Sequence, residues 1–96
     1  MDELSFEWDE RKATLNLAKH GVSFLTAAAI FANAIVERVD HREDYGELRL
    51  AALGRVGTTV YRVVYTWRAE RIIRIISAQK ASRHEREIYY REVHHD

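Results

Sequence analysis

Hydrophobic residues near the start of the chain recur first at the spacing of a strand and then at the spacing of a helix. In "SFEWD", Phe6 and Trp8 alternate with polar neighbours, which predicts a short first strand. The next hydrophobic stripe contains Ala13, Leu17 and Ala18, which lie close together on one face of a helix. The chain is therefore expected to begin with an extended segment that leads into a helix.

Polar residues and a glycine mark the ends of two consecutive helices. Asp9 is a suitable N-cap for the first helix, and Gly21 is a suitable left-handed residue to end it. Ser23 can cap a second helix in "LTAAAIFAN", which Asn33 can end. The pattern predicts two helices joined by a turn centred on one glycine.

After the second helix the hydrophobic pattern changes to the period of two that strands have. "AIVERVDH" alternates weakly, with Ile35 and Val39 on one side, and the polar run "REDYGE" then predicts a loop. Three further strands are predicted in "LRLAALGRV", "TTVYRVVYTW" and "RIIRIISA", with turns near Gly57 and at "RAE". Connections this short favour an antiparallel meander.

A capping-box pattern predicts a helix near the end of the chain. Ser82 and Glu85 have the required three-residue spacing in "SRHE", and the helix is expected to extend to about Glu92. At least one of Tyr89 and Tyr90 is expected to pack into the core, although either ring could instead stack on nucleobases.

The elements together predict a single α+β domain over residues 1–96. Their order is β-α-α-β-β-β-β-α, which corresponds to a mainly antiparallel sheet packed against helices. A length of 96 residues and a hydrophobic fraction of 47% suit one folded domain with a modest core. The tail "HHD" at residues 94–96 is expected to be a frayed terminus.

The composition limits the cellular location that we expect for the protein and the chemistry that its side chains can perform. The chain has no cysteine, which excludes disulfides and thiolate chemistry and fits a reducing compartment. No apolar run approaches the roughly 18 residues that a membrane helix needs, and no signal peptide is recognisable. We therefore expect a soluble cytoplasmic protein.

The charges are distributed unevenly, although the formal net charge is +0. Residues 1–48 contain ten acidic and five basic side chains, whereas residues 49–96 contain five acidic and ten basic ones. Nine of the later ten basic residues are arginine, whose planar guanidinium matches phosphate bidentately. This asymmetry favours either an anionic partner, plausibly nucleic acid, or mutual neutralisation of the two halves.

Several arginines interrupt the hydrophobic pattern of the predicted strands. Arg62 and Arg74 lie between apolar residues, and Arg49 and Arg55 share parity on the preceding strand. An arginine in mid-strand needs water, a carboxylate or a phosphate, because burial without a partner is unfavourable. One interpretation is an open sheet face with cross-strand ion pairs, and the other is a cationic platform for an RNA backbone.

The sequence "KHG" places Lys19 and His20 immediately before Gly21. Basic residues in the last turn of a helix stabilise its negative end by roughly 0.3–1 kcal/mol, so a purely structural role is one interpretation. The alternative is that one or both belong to an active site, because imidazole titrates near neutral pH. Asp40, His41 and their acidic neighbours do not have a recognisable metal-ligand spacing, so no metal site is predicted.

Three segments together resemble the BrnT family, the ribonuclease toxins of bacterial type II toxin–antitoxin pairs: "FEWDERKATLNLAKHGVSF", "ALGRVG" and "RIIRIISAQKASRHERE". The resemblance covers nearly the whole chain in the right order. It implies a compact RelE-like fold, RNA cleavage without a metal, and no cofactor. It also implies neutralisation by a BrnA-type antitoxin, whose ribbon-helix-helix domain binds DNA in a complex that represses its own operon. This chain would then contact DNA only indirectly, and a homodimer within the complex is compatible with that arrangement.

The resemblance also implies which residues form the site. The positions that match the family's motifs are Lys19, His20, Arg55, Arg74, Ser77, Lys80 and Arg83. Where the family typically has "ISARKA", this chain has "ISAQKA", so Gln79 stands in place of an arginine. Glutamine can donate a hydrogen bond to phosphate but supplies no positive charge.

The chemistry of metal-independent RNA cleavage suggests a role for each residue. His20 is the candidate general base or acid, and Lys19 and Arg55 suit stabilisation of charge in the transition state. Arg74 and Arg83 suit phosphate binding, and Lys80 also belongs to the RNA-binding set. Because of Gln79, a second hypothesis is a catalytically weak or inactive module that mainly holds its antitoxin and tunes repression.

Overall fold

The computed structural model describes residues 3–93, which form three α-helices and five strands. In chain order they are β1 (Ser5–Glu7), α1 (Glu10–His20), α2 (Phe24–Ala29), β2 (Ile35–Val39), β3 (Leu50–Val56), β4 (Thr59–Ala69), β5 (Ile72–Lys80) and α3 (Arg83–Val93). A turn of 3₁₀-helix, Ile30–Ala32, continues α2. The predicted α+β class is confirmed, whereas the predicted frayed tail lies outside the described residues.

The five strands form one mixed sheet in the order β1-β5-β4-β3-β2. Strands β2 to β5 are the predicted antiparallel meander, and β1 is added to the outer edge of β5 in the parallel direction. The turn predicted at "RAE" occurs slightly later, because β4 continues to Ala69 before the chain reverses. A glycine is needed in the β3–β4 turn, where Gly57 has a φ of 61°.

The helix ends are set by the residues that the sequence predicts. The Asp9 side chain accepts a hydrogen bond from the Lys12 N–H at 3.1 Å, and Gly21 ends α1 with a φ of 71°. Ser23 caps α2 in the same way as Asp9 caps α1. The resulting corner between Glu10–His20 and Phe24–Ala32 bends the chain by 93°. No single helix in residues 3–93 is long and apolar enough to cross a membrane. The two segments that form this corner reach the required length and apolar composition only when they are taken together.

The capping box of α3 is present with both of its hydrogen bonds. The Ser82 N–H donates to the Glu85 carboxylate at 2.8 Å, and the Glu85 N–H donates to the Ser82 hydroxyl at 3.1 Å. Tyr89 of this helix is 3% exposed, and its hydroxyl donates to the Ala34 carbonyl at 3.1 Å. The prediction that at least one of the two tyrosines packs in the core is therefore confirmed.

The predicted hydrophobic stripe of α1 is partly wrong. Ala13 faces the sheet as predicted, but Leu17 is 51% exposed and Ala18 is also exposed. The residues that face the sheet together with Ala13 are Asn16, which is buried, and His20, which is half-buried. The stripe was misplaced because both of these side chains are polar, so hydrophobicity alone does not reveal that they face inward.

The sheet separates two hydrophobic cores. The first lies on the face that α1 and α2 cover, the α1–α2 face, and it includes Phe24, Ala27, Ile30, Ala52, Val63, Tyr65, Ile73, Ile75 and Ala78. The second lies on the opposite face, the α3 face, and it includes Val36, Leu53, Val60, Ala81 and Tyr89. Successive side chains alternate between faces, so these cores and the strand register assign the strand residues to one side of the sheet or the other, except where the pairing of β4 with β5 shifts, between Val64 and Tyr65 and between Trp67 and Ala69.

Candidate active site

Helix α1 lies along β5 and is attached to it by the amide of Asn16. Asn16 Nδ2 donates to the carbonyl oxygens of Ala78 at 2.8 Å and Val22 at 3.0 Å, and Oδ1 accepts from the Ala78 N–H at 3.1 Å. The backbone groups of Ala78 are available because β1 pairs with β5 only as far as Arg74. The Asn16 side chain thus takes the place of a neighbouring strand at the edge of β5.

This attachment brings the end of α1 to the end of β5. The two elements run in the same direction, because β1, which precedes α1, pairs with the first residues of β5. A helix rises about 6 Å from Asn16 to His20, and a strand rises about 6.6 Å from Ala78 to Lys80. Beyond the contact of Asn16 with Ala78, both elements therefore lead toward the same end of the sheet, with Lys19 and His20 in the last turn of α1 and Lys80 at the end of β5.

The strand register shows that Lys80 and Arg55 point to opposite faces of the sheet. Lys80 lies opposite Tyr61, whose ring packs against the core of the α1–α2 face. Arg55 lies opposite Val60, which is in the core of the α3 face. Both are at the same end of the sheet, where β3 and β5 end and β4 begins. We call this the Lys80 end of the sheet.

The two remaining predicted site residues are placed differently. Arg83 begins α3 three residues after Lys80, and its side chain is 87% exposed and 3.5 Å from Glu87. Arg74 is six strand residues before Lys80, a separation of roughly 20 Å, and it forms an ion pair of 2.8 Å with Glu7. The structure therefore brings Arg83 to the Lys80 end and leaves Arg74 apart from it.

Among the cations at the Lys80 end, Arg83 lies 3.5 Å from Glu87, and the other four have no carboxylate partner within the described residues. Within residues 3–93, no ion pair involves Lys19, His20, Arg55 or Lys80. Lys19, Arg55 and Lys80 are exposed, and His20 is half-buried. These side chains are therefore available to an external anion.

The arginines that interrupt the strands are mostly neutralised by carboxylates. The register places Arg38, Arg55, Arg62 and Arg74 on the α3 face. Their ion pairs in the described chain are Arg38–Glu92, Arg62–Glu85 and Arg74–Glu7, while Arg49 pairs with Glu47. Of these four, Arg74–Glu7 is a cross-strand pair of the predicted kind, between β5 and β1. Arg38 and Arg62 pair instead with carboxylates of α3, which packs on this face, and Arg49 pairs with a carboxylate of the loop before β3. Arg55 in β3 and Arg68 in β4 have no ion pair within residues 3–93, and of these two Arg55 lies at the Lys80 end.

Gln79 lies on the α3 face, directly opposite Arg62 in the pairing of β4 with β5. The Arg62 guanidinium is 3.3 Å from the Glu85 carboxylate, and its side chain is 18% exposed. An arginine at position 79 would add a second positive charge beside Arg62. In this chain the position carries an amide that can contribute only hydrogen bonds.

A groove of about 650 Å³ lies between α3 and strands β2 to β4. It has an aliphatic floor that includes Val36, Leu53 and Ile88. None of the predicted site cations lines it. A nucleic-acid backbone can be bound along an exposed surface by cations alone, so RNA binding at the Lys80 end does not require this groove.

The most strongly held carboxylate in this groove is that of Asp40. Its side chain is 2% exposed and accepts hydrogen bonds from Arg42 Nε at 2.8 Å and Nη2 at 2.9 Å. These bonds lower the pKa of Asp40 to about 2. Because Asp40 is committed to Arg42, it is not available as a metal ligand. No group of three histidine, aspartate or glutamate side chains in residues 3–93 is arranged to hold a metal ion.

The sequence reasoning did not identify Asn16 as part of this site. A detectable signal existed, because Asn16 is four residues before His20 and three after Ala13, on the helical face that turns inward. An asparagine on such a face requires hydrogen-bond partners when buried. The partner at Ala78 is 62 residues away, and sequence spacing does not reveal it.

Comparisons with known proteins point to one family. The family model described as "Ribonuclease toxin, BrnT, of type II toxin-antitoxin system" matches residues 8–85. The crystal structure of the Brucella abortus ribonuclease toxin, BrnT, is similar to this chain with a TM-score of 0.63 and 27% sequence identity, and the match covers 83% of this chain and 99% of that one. No curated protein matches the chain.

Proposed function

The chain belongs to the BrnT family of ribonuclease toxins from type II toxin–antitoxin systems, and we propose that it cleaves RNA without a metal at the Lys80 end of the sheet. The RNA substrate and an antitoxin partner follow from membership of the family. The location of the chemistry, its mechanism and its consequence for translation are our proposal.

The observation that carries this proposal is the convergence of cations that lack carboxylate partners. Lys19 and His20 are about sixty residues from Lys80 in the sequence, and the contact of Asn16 with Ala78 joins their helix to β5 two residues before Lys80. Arg55 reaches the same end of the sheet on the opposite face. Binding a phosphodiester requires cations without carboxylate partners, and here such cations come from distant segments of the chain. The ion pairs elsewhere in the sheet do not require them.

The proposed reaction uses the ribose 2′-hydroxyl as the nucleophile. A general base removes its proton, the oxygen attacks the adjacent phosphorus, and the bond to the 5′-oxygen breaks. The 5′-oxygen leaves with a proton from a general acid, so the products are a 2′,3′-cyclic phosphate and a 5′-hydroxyl. His20 serves as the acid or the base, a role that an imidazole side chain often takes in enzymes.

The cations act on the charge that develops during this reaction. Lys19 and Arg55 stabilise the negative phosphorane oxygens, a role for which preorganised positive groups are effective. Lys80 and Arg83 contact the RNA backbone beside the scissile bond. Arg74 contributes to RNA binding at a distance from the chemistry. Its guanidinium would either leave Glu7 to bind a phosphate or contact Glu7 and a phosphate together.

The biological role that we propose follows the BrnT resemblance. The toxin has a RelE-like fold, acts in the cytoplasm and inhibits translation by degrading RNA. A BrnA-type antitoxin with a ribbon-helix-helix domain neutralises it, and the complex represses its own operon. The antitoxin carries the DNA contact, so this chain reaches DNA only indirectly, and two copies of the chain are present in a symmetrical complex.

A second candidate function is an antitoxin-binding module with little or no catalytic activity. The observation that favours it is Gln79, which supplies no charge where BrnT relatives typically have an arginine. In this case the fold and the antitoxin contact would be retained for repression, and RNA cleavage would be weak. The same experiment distinguishes the two candidates.

The test is RNA cleavage by the purified protein, with and without a chelator, compared with the Lys19→Ala and His20→Ala variants. We expect cleavage that resists the chelator and falls by about 10² or more in at least one variant, the usual contribution of a general acid–base or a charge-stabilising group. Lys12→Ala is the matched control, because Lys12 is also exposed on α1 but lies two turns away from Lys19.

The outcome of this experiment decides between the candidates. Full cleavage by both variants would show that the last turn of α1 is not part of the active site. Cleavage that disappears with the chelator would contradict the metal-independent mechanism. No cleavage by well-folded wild-type protein at high concentration would support the second candidate.

A further inference from the structure

Within residues 3–93, Asn16 is the α1 residue whose side chain forms hydrogen bonds both to β5 and to the turn that follows α1. Its amide uses both donor hydrogens and its oxygen, on the N–H and C=O of Ala78 and on the C=O of Val22. The side chain is 8% exposed. A buried amide with three satisfied hydrogen bonds is held in one position, because any rotation would leave buried polar groups without partners.

The contacts of Asn16 connect the three segments that surround the end of α1. Ala78 belongs to β5, two residues before Lys80, and Val22 follows Gly21 in the turn that leads to α2. The same amide therefore fixes the level of α1 along β5 and the exit of the chain from α1. Hydrophobic contacts alone would not fix this level, because α1 presents little more than Ala13 to the core.

We propose that Asn16 is a positioning residue for catalysis, which sets the level of His20 against Lys80 by pairing with the backbone of Ala78. This inference rests on the proposed function, since it assumes that the reaction occurs at the Lys80 end. One helical turn separates Asn16 from His20, so any shift or tilt of α1 at Asn16 moves the imidazole directly. A displacement of about 1 Å in a reacting group can lower a rate by about 10².

A positioning role and a purely structural role predict different effects of an Asn16 substitution on the rate of the folded molecules. A structural role lowers the amount of folded protein and leaves the rate per folded molecule unchanged. A positioning role lowers kcat in fully folded protein and leaves KM nearly unchanged, because Asn16 is buried and does not contact RNA. The two roles therefore separate in the kinetic parameters.

The kinetic test compares Asn16→Ala and Asn16→Gln with wild type at a temperature where each is fully folded by circular dichroism. Glutamine keeps the amide but adds one methylene, so it preserves the hydrogen-bonding groups and displaces the helix. We expect kcat to fall at least tenfold in both variants, with KM changed less than about threefold. Thr14→Ala is the matched control, since its hydroxyl bonds only to Glu10 within α1.

A second measurement tests the geometry without using activity. Because the chain has no cysteine, spin labels can be attached at Ala18→Cys on α1 and Glu70→Cys in the β4–β5 turn, both exposed positions. We expect the distance distribution between the labels to broaden or shift when Asn16→Ala or Asn16→Gln is added. It should remain unchanged when Thr14→Ala is added.

The two measurements distinguish failure of this inference from failure of the proposed function. An unchanged kcat in folded Asn16 variants would overturn the inference, and so would a lower kcat with an unchanged distance distribution. If the wild-type protein does not cleave RNA, the proposed function fails. The distance measurement alone then decides whether Asn16 fixes the level of α1 on β5.

Discussion

Gln79 and Arg62 lie directly opposite each other in the antiparallel pairing of β4 and β5, with both side chains on the α3 face. Arg62 is already paired with Glu85 across the gap between sheet and helix, at 3.3 Å. One carboxylate therefore compensates one arginine at this position. An arginine in place of Gln79 would remain available for a phosphate.

The first prediction is that Gln79→Arg raises RNA cleavage by roughly tenfold or more, because a preorganised arginine stabilises charge in the transition state. We also expect the free energy of unfolding to fall by less than about 1 kcal/mol, since like charges directly opposite each other in a sheet repel. Cleavage assays and urea unfolding measure the two effects. Gln79→Met is the control for size without charge. An unchanged rate in Gln79→Arg would show that Gln79 does not limit activity.

The second prediction concerns Arg55, which is exposed and lacks a carboxylate partner among the described residues. We expect Arg55→Ala to weaken RNA binding and to reduce the slope of log Kd against log salt by about one, as for the loss of one phosphate contact. Binding at several salt concentrations measures this. Arg68→Ala is the matched control, because Arg68 is exposed near the far end of β4. Equal effects of both substitutions would argue against a local site.

The third prediction concerns the dependence of stability on pH. Because Arg42 lowers the pKa of Asp40 from 3.8 to about 2, the ion pair stabilises the fold fully above pH 3.8 and loses its effect as the pH falls through 2. We expect Asp40→Asn to lower the free energy of unfolding by about 1–2 kcal/mol at pH 7. The difference from wild type should shrink below about pH 4.

Urea unfolding of wild type and Asp40→Asn at pH 7, 5, 3 and 2 tests this dependence. Glu43→Gln is the control, since Glu43 is an exposed carboxylate in the same loop. A difference in stability that stays constant from pH 7 to pH 2 would mean that the substitution acts through packing and not through the charge of Asp40.

The fourth prediction concerns the approach of β3 to the 3₁₀ turn after α2. A Cβ atom on Gly54 would lie 2.6 Å from the Cβ of Ile30, which is fully buried. Because both Cβ atoms are fixed to backbone, a rotamer change cannot relieve the contact. We expect Gly54→Ala to destabilise the fold by about 1–3 kcal/mol, the range for overpacked cores.

Thermal or urea unfolding measures the effect of Gly54→Ala. Gly46→Ala is a useful comparison, because a Cβ there meets no atom within 4 Å but the residue has a φ of 73°. It should cost about 1 kcal/mol through backbone strain alone. A smaller effect at Gly54 than at Gly46 would contradict the close approach of Ile30.

The elements of the fold were predictable where neighbouring residues determine them. Asp9, Gly21 and Ser23 cap helices through contacts within a few residues, and the capping box of Ser82 and Glu85 is also local. The alternation in the later strands predicted the meander, because β3, β4 and β5 are joined by the short turns 57–58 and 70–71, whereas residues 40–49 form a longer loop between β2 and β3. The BrnT resemblance came from three quoted segments and was confirmed by the family comparison.

The errors arose where a polar side chain has a distant partner. Asn16 was missed as an inward-facing residue because its partner, Ala78, is 62 residues away. The strand arginines could not be assigned to ion pairs or to RNA, because Glu7 and Glu85 are brought to Arg74 and Arg62 only by the sheet and by α3. The parallel position of β1 was also not predicted, since it depends on a free edge of β5.

The sequence by itself determined the α+β class, the caps, the meander and the family, because these depend on local hydrogen bonds, hydrophobic period and motif order. Tertiary structure decided which cations remain available to an anion. Ion pairing depends on distances of a few ångströms between residues far apart in the chain, and strand register sets those distances. The same register places Arg55 and Lys80 at one end of the sheet and Arg74 away from it.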